Sequence, residues 1–345
     1  MSLRLSADAI ERSVNEARIE IRSAGVQPLA GTLVVDFTRY LPGAYASREL
    51  TRLGARVVRV EPPGGDPMRP TATAWDTAFR AGSESVVCDL PADAAFARAL
   101  CARADVVLEG FRPGVADRLG VGPGDVPDTA VYCSITGFGL GGRHEQRAGH
   151  DVNYLGWAGV LEDTAPALPP IQIADLAAGA LGAVTQVLAA LLERARTGRG
   201  PRLVVSMTHR SHDLVGHRLA GEPVPRLLTG GLACYRLYPT ADGRHLTVGA
   251  LEPKFFRRLC ELVGRPDLGE RQFDADQDAL ASELGDALAA RTLGDWLARF
   301  GDEDVCVGPV WTRAEAAAEF GSTETGAEVP LGAHTDAWRR ELDVS

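Results

Sequence analysis

The 345-residue chain reads as an α/β protein, a parallel sheet with helices on both faces followed by a smaller α+β domain. Two observations predict this. Up to residue 207, short apolar runs alternate with helical stretches, the pattern of parallel strands joined by crossover helices. Beyond about residue 228 the texture changes to a hairpin pattern and then to helical stretches.

Residues 7–23 place Ile10, Val14, Ala17 and Ile21 at helical spacing and predict an amphipathic helix ended by Pro28. "GTLVVDFTRY" (31–40) is a buried-type strand, "ASRELTRLGA" (46–55) a helix stopped near Gly54, and "RVVRVE" (56–61) the second strand. That strand runs into Glu-Pro-Pro-Gly-Gly-Asp. Such breakers suit a loop lining a ligand crevice, since ligands of open α/β sheets sit outside the carboxyl ends of the strands, and they equally suit an ordinary strand-to-helix connection. "SESVVCDL" (83–90), "DVVLEGF" (105–111), "AVYCSITGF" (130–138) and "PRLVVSM" (201–207) complete the strands. "ADAAFARALCARA" (92–104) is a helix. Residues 173–200 form a long helix in which Gly179, Gly182 and Ala183 permit close packing. In the second domain, two strand-like runs joined by Ala-Asp-Gly predict a hairpin. Helical segments follow at 253–264 and 278–301, then a strand at 304–312 and a helix at 313–321. The expected divisions are an N-terminal extension (1–25), a large domain (26–225), a small domain (226–312) and a C-terminal return segment (313–345).

Composition bounds the function. With 45% hydrophobic and 24% charged residues, the chain is an ordinary globular sequence with room for two domains. A net charge of −10 sets nucleic acid aside as a partner. Nearly all cations are Arg, and Lys254 is the sole lysine. Six scattered cysteines read as reduced core thiols, which points to the cytoplasm. No apolar run approaches the roughly 18 residues of a membrane span, and the N-terminus is charged throughout, unlike a signal peptide.

Four polar positions stand out: His150 and Asp151 in "RAGHDVNYLGWAGVL", Asp175 in "IQIADLAAG", and Glu252 in "TVGALEPKFF". Asp175 suits catalysis or a helix cap, Glu252 suits the favourable end of a helix dipole, and a single histidine is as readily structural. His209, His212 and His217 share a helical face but lack the carboxylates or cysteines of a metal set, so no metal site is expected. There is no nucleophile elbow, no Walker loop and no GxGxxG after a strand. "GFGLGGR" (137–143) is Gly-rich without diagnostic spacing.

Taken together, the segments resemble the family III CoA-transferases (the CaiB/BaiF superfamily) and, within them, the α-methylacyl-CoA racemase branch. The likeness spans about residues 28–312 and a short tail. "PLAGTLVVDFTRYLPGAYASRELTRLGARVVRVEPPGGDP" resembles the first strand–helix–strand, "ADVVLEGFRPGVADRLGVGP" the most recognisable segment, and "SITGFGLGGRHEQRAGHDVNYLGWAGVL" the racemase active-site loop. "IADLAAGALGAVTQVLAALLERARTGRG" resembles the segment that holds the catalytic Asp, and "GGLACYRLYPTADGRHLTVGALEPKFF" the small-domain hairpin with its Glu-Pro. The resemblance implies a Rossmann-like large domain and an interlocked homodimer, with each active site between the large domain of one copy and the small domain of the other. It puts His150, Asp175 and Glu252 on catalytic positions, Arg112 and Arg118 on residues contacting CoA phosphates, and Tyr154 on the lining of the thioester site. The implied substrate is an acyl-CoA thioester, with coenzyme A part of the substrate and no further cofactor. Racemisation needs a base on one face of the α-carbon, an acid on the other and an oxyanion stabiliser, which backbone N–H groups at the helix start near Asp175 suit. A CoA-transferase needs only a carboxylate nucleophile, for which Asp175 suffices.

The chain departs from the family in several places. Its usual basic turn before the third strand is replaced by Arg80 and Ser-Glu-Ser. The stretches between Asp151 and Asp175 and between "SMTHRSH" and "LLTGGLACY" (213–226) are short, most of the C-terminal return between "TRAEAAAEF" and "PLGAHTD" is missing, and the N-terminal helix is extra. These departures leave a third reading open, a relative repurposed for another ligand or a carrier-bound acyl group.

Overall fold

The computed structural model describes residues 26–221, 227–321 and 326–344, and the helix expected at 7–23 lies outside them. The chain divides into two compact units, one running to His217 and resuming at Glu324, the other spanning Arg218–Thr323.

In the large unit, β1 (Leu33–Asp36), α1 (Tyr40–Arg52), β2 (Arg56–Glu61), α2 (Met68–Thr71), α3 (Thr73–Arg80), β3 (Glu84–Val87), α4 (Ala94–Arg103), β4 (Val106–Glu109), α5 (Val115–Arg118), β5 (Val131–Thr136), α6 (Asp151–Ala158), α7 (Ala174–Thr197), β6 (Arg202–Ser206) and α8 (Met207–Leu219) follow in order. The six strands are all parallel in the order β3-β2-β1-β4-β5-β6, the doubly wound Rossmann arrangement. Alternate strand residues enter opposite layers. Val34, Val57, Val106 and Val131 face the layer built with α1 and α7, whereas Val35, Val58, Val107 and Tyr132 face the layer of α4. Burial on both faces is why these strands read as unbroken apolar runs.

Helix α1 begins six residues before the expected start, because Pro42 is tolerated in a first turn. Helices α2 and α3 fill a stretch that the sequence reading left unassigned. By length and composition, α7 is the one described helix able to cross a membrane, contrary to the expectation from sequence. Its Ala183, Val187 and Ala190 are buried in the sheet-facing layer.

The breakers after β2 do end the strand abruptly, yet the loop they begin is absent from the cavity described below. Glu61 and Asp66 instead enter a buried ion cluster. Arg59 reaches Asp36 and Asp66 (both 3.2 Å), Arg80 reaches Glu61 (3.0 Å) and Asp66 (3.4 Å), and Arg69 reaches Glu61 (2.8 Å). Arg80, the remnant of the expected basic turn, is thus consumed inside the protein, and Glu84 pairs with Arg56 (2.9 Å). Burial alone would raise the Glu61 carboxyl, but its Arg69 hydrogen bond and the charges of Arg80, Arg69 and Arg59 outweigh burial and hold it at about 2, against an ordinary 4.5. A depressed acid contributes stability that is full above pH 4.5 and is lost as pH falls towards 2. The difference amounts to about 3 kcal/mol. Urea-melt midpoints should therefore fall steeply across that window in the wild type. Glu61→Gln, which leaves the buried Arg80 and the partly buried Arg69 guanidinium groups short of a partner, should lose about 3–5 kcal/mol at neutral pH. A melt independent of acidity below pH 4.5 would refute this assignment.

The small unit holds β7 (Tyr235–Pro239), β8 (His245–Gly249), α9 (Pro253–Leu262), α10 (Gln277–Leu288), α11 (Leu293–Phe300), β9 (Val307–Pro309) and α12 (Arg313–Phe320). The hairpin β7–β8 is antiparallel, with Gly243 at φ 73 in its turn, and β9 pairs with β8. The single helical segment expected at 278–301 is two helices, because Thr292 and Asp295 form a capping box that starts α11. Helix α12 lies in this unit, fastened by Arg244–Glu315 at 2.9 Å. The return to the large unit thus begins after residue 323, not at 313. Five cysteines are buried, but Cys306 is exposed rather than in a core.

The returning segment carries α13 (Thr335–Glu341) along the outer edge of β3. The carbonyl of Ser85 accepts the His334 N–H (2.9 Å), Ser85 N–H donates to His334 Nδ1 (3.1 Å), and Val87 N–H donates to Thr335 Oγ1 (2.9 Å). The Trp338 indole donates to Glu84 beneath the Arg56 guanidinium. An otherwise open sheet edge is covered.

Candidate active site

Strand order reverses between β1 and β4, and the loops after these strands leave the sheet at that point, where α/β proteins bind ligands. A buried acid at each strand end pins its loop. Asp36 accepts the Thr38 N–H (2.7 Å) and the Thr38 and Ser47 hydroxyls. Glu109, its carboxyl raised by burial, accepts the Phe111 N–H (2.7 Å) and so fixes the turn leading to Arg112. Gly43 is required here, since a Cβ on it would stand 1.7 Å from the Thr38 hydroxyl.

These loops, the segment after β5 and the start of α7 enclose a cavity of about 530 Å³. His150, Asp175, Arg112 and Tyr154 all line it. Arg118 is exposed at the end of α5 and outside the lining. Glu252 is exposed at the N-terminus of α9 in the small unit, just before Pro253, and its side chain makes no cap hydrogen bond.

His150 directly precedes α6 and donates its backbone N–H to Asn153 Oδ1 (3.0 Å). The Tyr154 hydroxyl donates to the Gly149 carbonyl, so it anchors the approach to His150. Its pKa is pushed up to about 12, first by burial and then by the nearby charge of Asp175. Gly137 makes room for that ring, as a Cβ would stand 2.6 Å from it.

Asp175 sits inside the first turn of α7, past the cap position, so it does not serve as the helix cap. That turn belongs to a π-wound stretch, Ala174–Leu181, a winding often found at functional sites. Its backbone N–H donates to Asp151 Oδ1 (2.9 Å), and the Leu176 N–H donates to the Gln172 carbonyl (2.9 Å). Both groups are committed, so they are not the enolate-stabilising donors that the sequence suggested. The Asp175 carboxyl is raised to about 7, first by burial and then by the charge of Asp151. Asp151 is itself raised by burial, partly offset by N–H groups of Asp175 and Ala174.

Two further lining residues, Tyr40 and Arg147, gave no sign in the sequence. The Arg147 guanidinium lies over the Trp157 ring at 5.2 Å and its Nε donates to His144 Nδ1 (2.8 Å). Two of the three histidines weighed as metal ligands have structural partners: His209 Nδ1 lies 2.7 Å from the Ser206 hydroxyl, and His212 Nδ1 donates to the Ala158 carbonyl (3.0 Å).

The model of CoA-transferase family III matches residues 29–337. The chain belongs to CoA-transferase family III. Among family relatives, human alpha-methylacyl-CoA racemase is 34% identical over 86% of this chain and 81% of its own length. A probable fatty acyl-CoA transferase of Mycobacterium tuberculosis is 33% identical over 90% of this chain and 89% of its own. The crystal structure of a CAIB/BAIF family protein from Brucella suis superposes with a TM-score of 0.79 at 27% identity, covering 92% of this chain and 100% of that one. The chain is thus an enzyme of the family III CoA-transferase and racemase superfamily, with a fold that matches its solved members.

Arg112 faces the cavity and Arg118 does not. If both meet phosphates of a thioester's CoA, their positive charge acts far from the reacting carbon. Arg112→Ala and Arg118→Ala should then raise KM more than they lower kcat, with the larger effect at Arg112. Wild-type KM values in both variants would reject the phosphate role.

Proposed function

We propose that the enzyme racemises or epimerises 2-methyl-branched acyl-CoA thioesters by removing and returning the α-proton through an enolate. The observation that carries this reading is a carboxyl group with a pKa of about 7, Asp175, in the same cavity as His150. At neutral pH such a carboxyl is present in both protonation states, so it can take a proton in one direction and give it in the other. A nucleophilic carboxylate has to be ionised, and a pKa of about 7 leaves only part of it so at neutral pH. In this reading Asp175 serves one face of the α-carbon and His150 the other. Arg112 and Arg118 hold CoA, and Tyr154 stabilises the wall of the thioester site. Incubation of 2-methylacyl-CoA thioesters with the enzyme in heavy water should give α-deuterium uptake with inversion.

The transferase reading is supported by the similarity to the M. tuberculosis transferase. It forecasts the opposite result, no α-exchange and an aspartyl-acyl anhydride at Asp175 trapped by hydroxylamine.

The reading takes a homodimer as the active assembly, with His150 of one copy served by Glu252 of the second copy. Light scattering should show a dimer, and a fully active folded monomer would defeat this assignment.

A further inference from the structure

Tyr40 has φ 64. Left-handed backbone is disfavoured for any residue with a Cβ, and such residues persist where their surroundings over-determine them, most often at functional sites. Several contacts impose it here. The Tyr40 N–H donates to Asp66 Oδ2 (3.3 Å). Asp66 is 1% exposed and is itself held by Arg59, Arg80 and the Met68 N–H (2.9 Å). Two residues earlier, Asp36 grips Thr38 from the same ion cluster. Burial does not explain the conformation, because the side chain remains 50% exposed. The ring instead lines the cavity and meets the His150 imidazole edge to face, with centroids 6.3 Å apart and planes at 85°.

We propose that Tyr40 is a positioning residue for His150, its ring aimed by a strained backbone so that it holds the imidazole towards the α-carbon of the bound thioester. This rests on the racemase reading and adds a purpose for the buried ion cluster, which fixes the turn from behind.

The test uses full-length Tyr40→Gly, Tyr40→Asn and Tyr40→Phe variants. Gly and Asn both accept left-handed backbone, so one remains informative if the other fails to fold. Thermal midpoints of the folded Gly or Asn variant should equal or exceed the wild-type value, since strain is relieved. The carbon-bound proton resonances of the His150 ring should move in both, because a neighbouring ring current is lost. Exchange from the enantiomer deprotonated by His150 should fall by up to about 10²-fold in kcat with KM little changed, the scale of a misplaced catalytic group. Tyr40→Phe should restore both readouts. Unmoved His150 resonances, or wild-type exchange in Tyr40→Gly and Tyr40→Asn, would overturn the proposal. The resonance readout needs no substrate. Moved resonances in an enzyme that exchanges no α-proton would confirm the contact and count against the racemase reading alone.

Discussion

Asp175→Asn should abolish inversion in both directions and lower α-exchange from the enantiomer that Asp175 deprotonates by about 10²–10⁴-fold. The returning proton must come from the face opposite the one attacked, so a single missing acid–base group stops inversion whichever enantiomer is supplied. Exchange from the other enantiomer survives where His150 takes back its own proton. In the wild type, the limb reporting Asp175 as base should rise through about pH 7. Asp151→Asn removes a neighbouring negative charge and should move that limb to lower pH. Stability carries an independent signature. A carboxyl raised from 3.8 to about 7 binds a proton in the folded state that the unfolded chain has released, so between these values stability falls as pH rises. Asp175→Asn escapes that penalty and should melt at a higher temperature than the wild type at pH 8. An inactive variant that melts lower would mean that the asparagine disturbs the fold, and the loss of activity would then say nothing about proton transfer.

His150→Ala should match this loss from the opposite face, again by about 10²–10⁴-fold in exchange of the second enantiomer, while exchange by Asp175 continues. Glu252→Gln should reproduce the enantiomer preference of His150→Ala rather than that of Asp175→Asn, because Glu252 is taken to work with the histidine. The transferase reading forecasts otherwise, with Asp175→Asn inactive and His150→Ala nearly unaffected. Stereochemically resolved exchange measured on all three variants decides between the two.

The sheet was legible because its inner strands are buried on both faces, so "LVV", "RVVRV" and "DVVL" announce themselves without reference to neighbours. The helices between 66 and 80 were not, because Pro67, Pro70 and Gly65 obscure them and a buried ion cluster, not apolar periodicity, holds them. The same cluster hid the reason for the Glu-Pro-Pro-Gly-Gly-Asp ending. Its members Asp36, Arg59, Glu61, Asp66, Arg69, Asp76 and Arg80 are spread over 45 residues and share no spacing. In the site, His150 and Asp175 stood out as polar residues beside apolar stretches. Asp151 was visible as a residue, but its grip on the Asp175 N–H joins the first turns of two helices and leaves no local trace. Tyr40 was invisible for a different reason. Left-handed backbone at a tyrosine has no propensity signal, and one of the groups that hold it, the carboxylate of Asp66, lies 26 positions later.

The return of residues 326–344 to the edge of β3 bears on the order in which the protein is made. His334 meets Ser85 across a separation of 249 residues. Loop-closure entropy grows slowly, by about 0.6 kcal/mol for each doubling of length, so the distance is thermodynamically mild. It is severe in time. At about 5–20 residues per second, a ribosome leaves the β3 edge without this covering for roughly 10–50 s after Ser85 has been made. Throughout that interval the nascent sheet presents an unpaired strand, and the small unit must emerge in full before the seal arrives. Residues 84–87 are therefore an edge of the sheet that is made early and covered last.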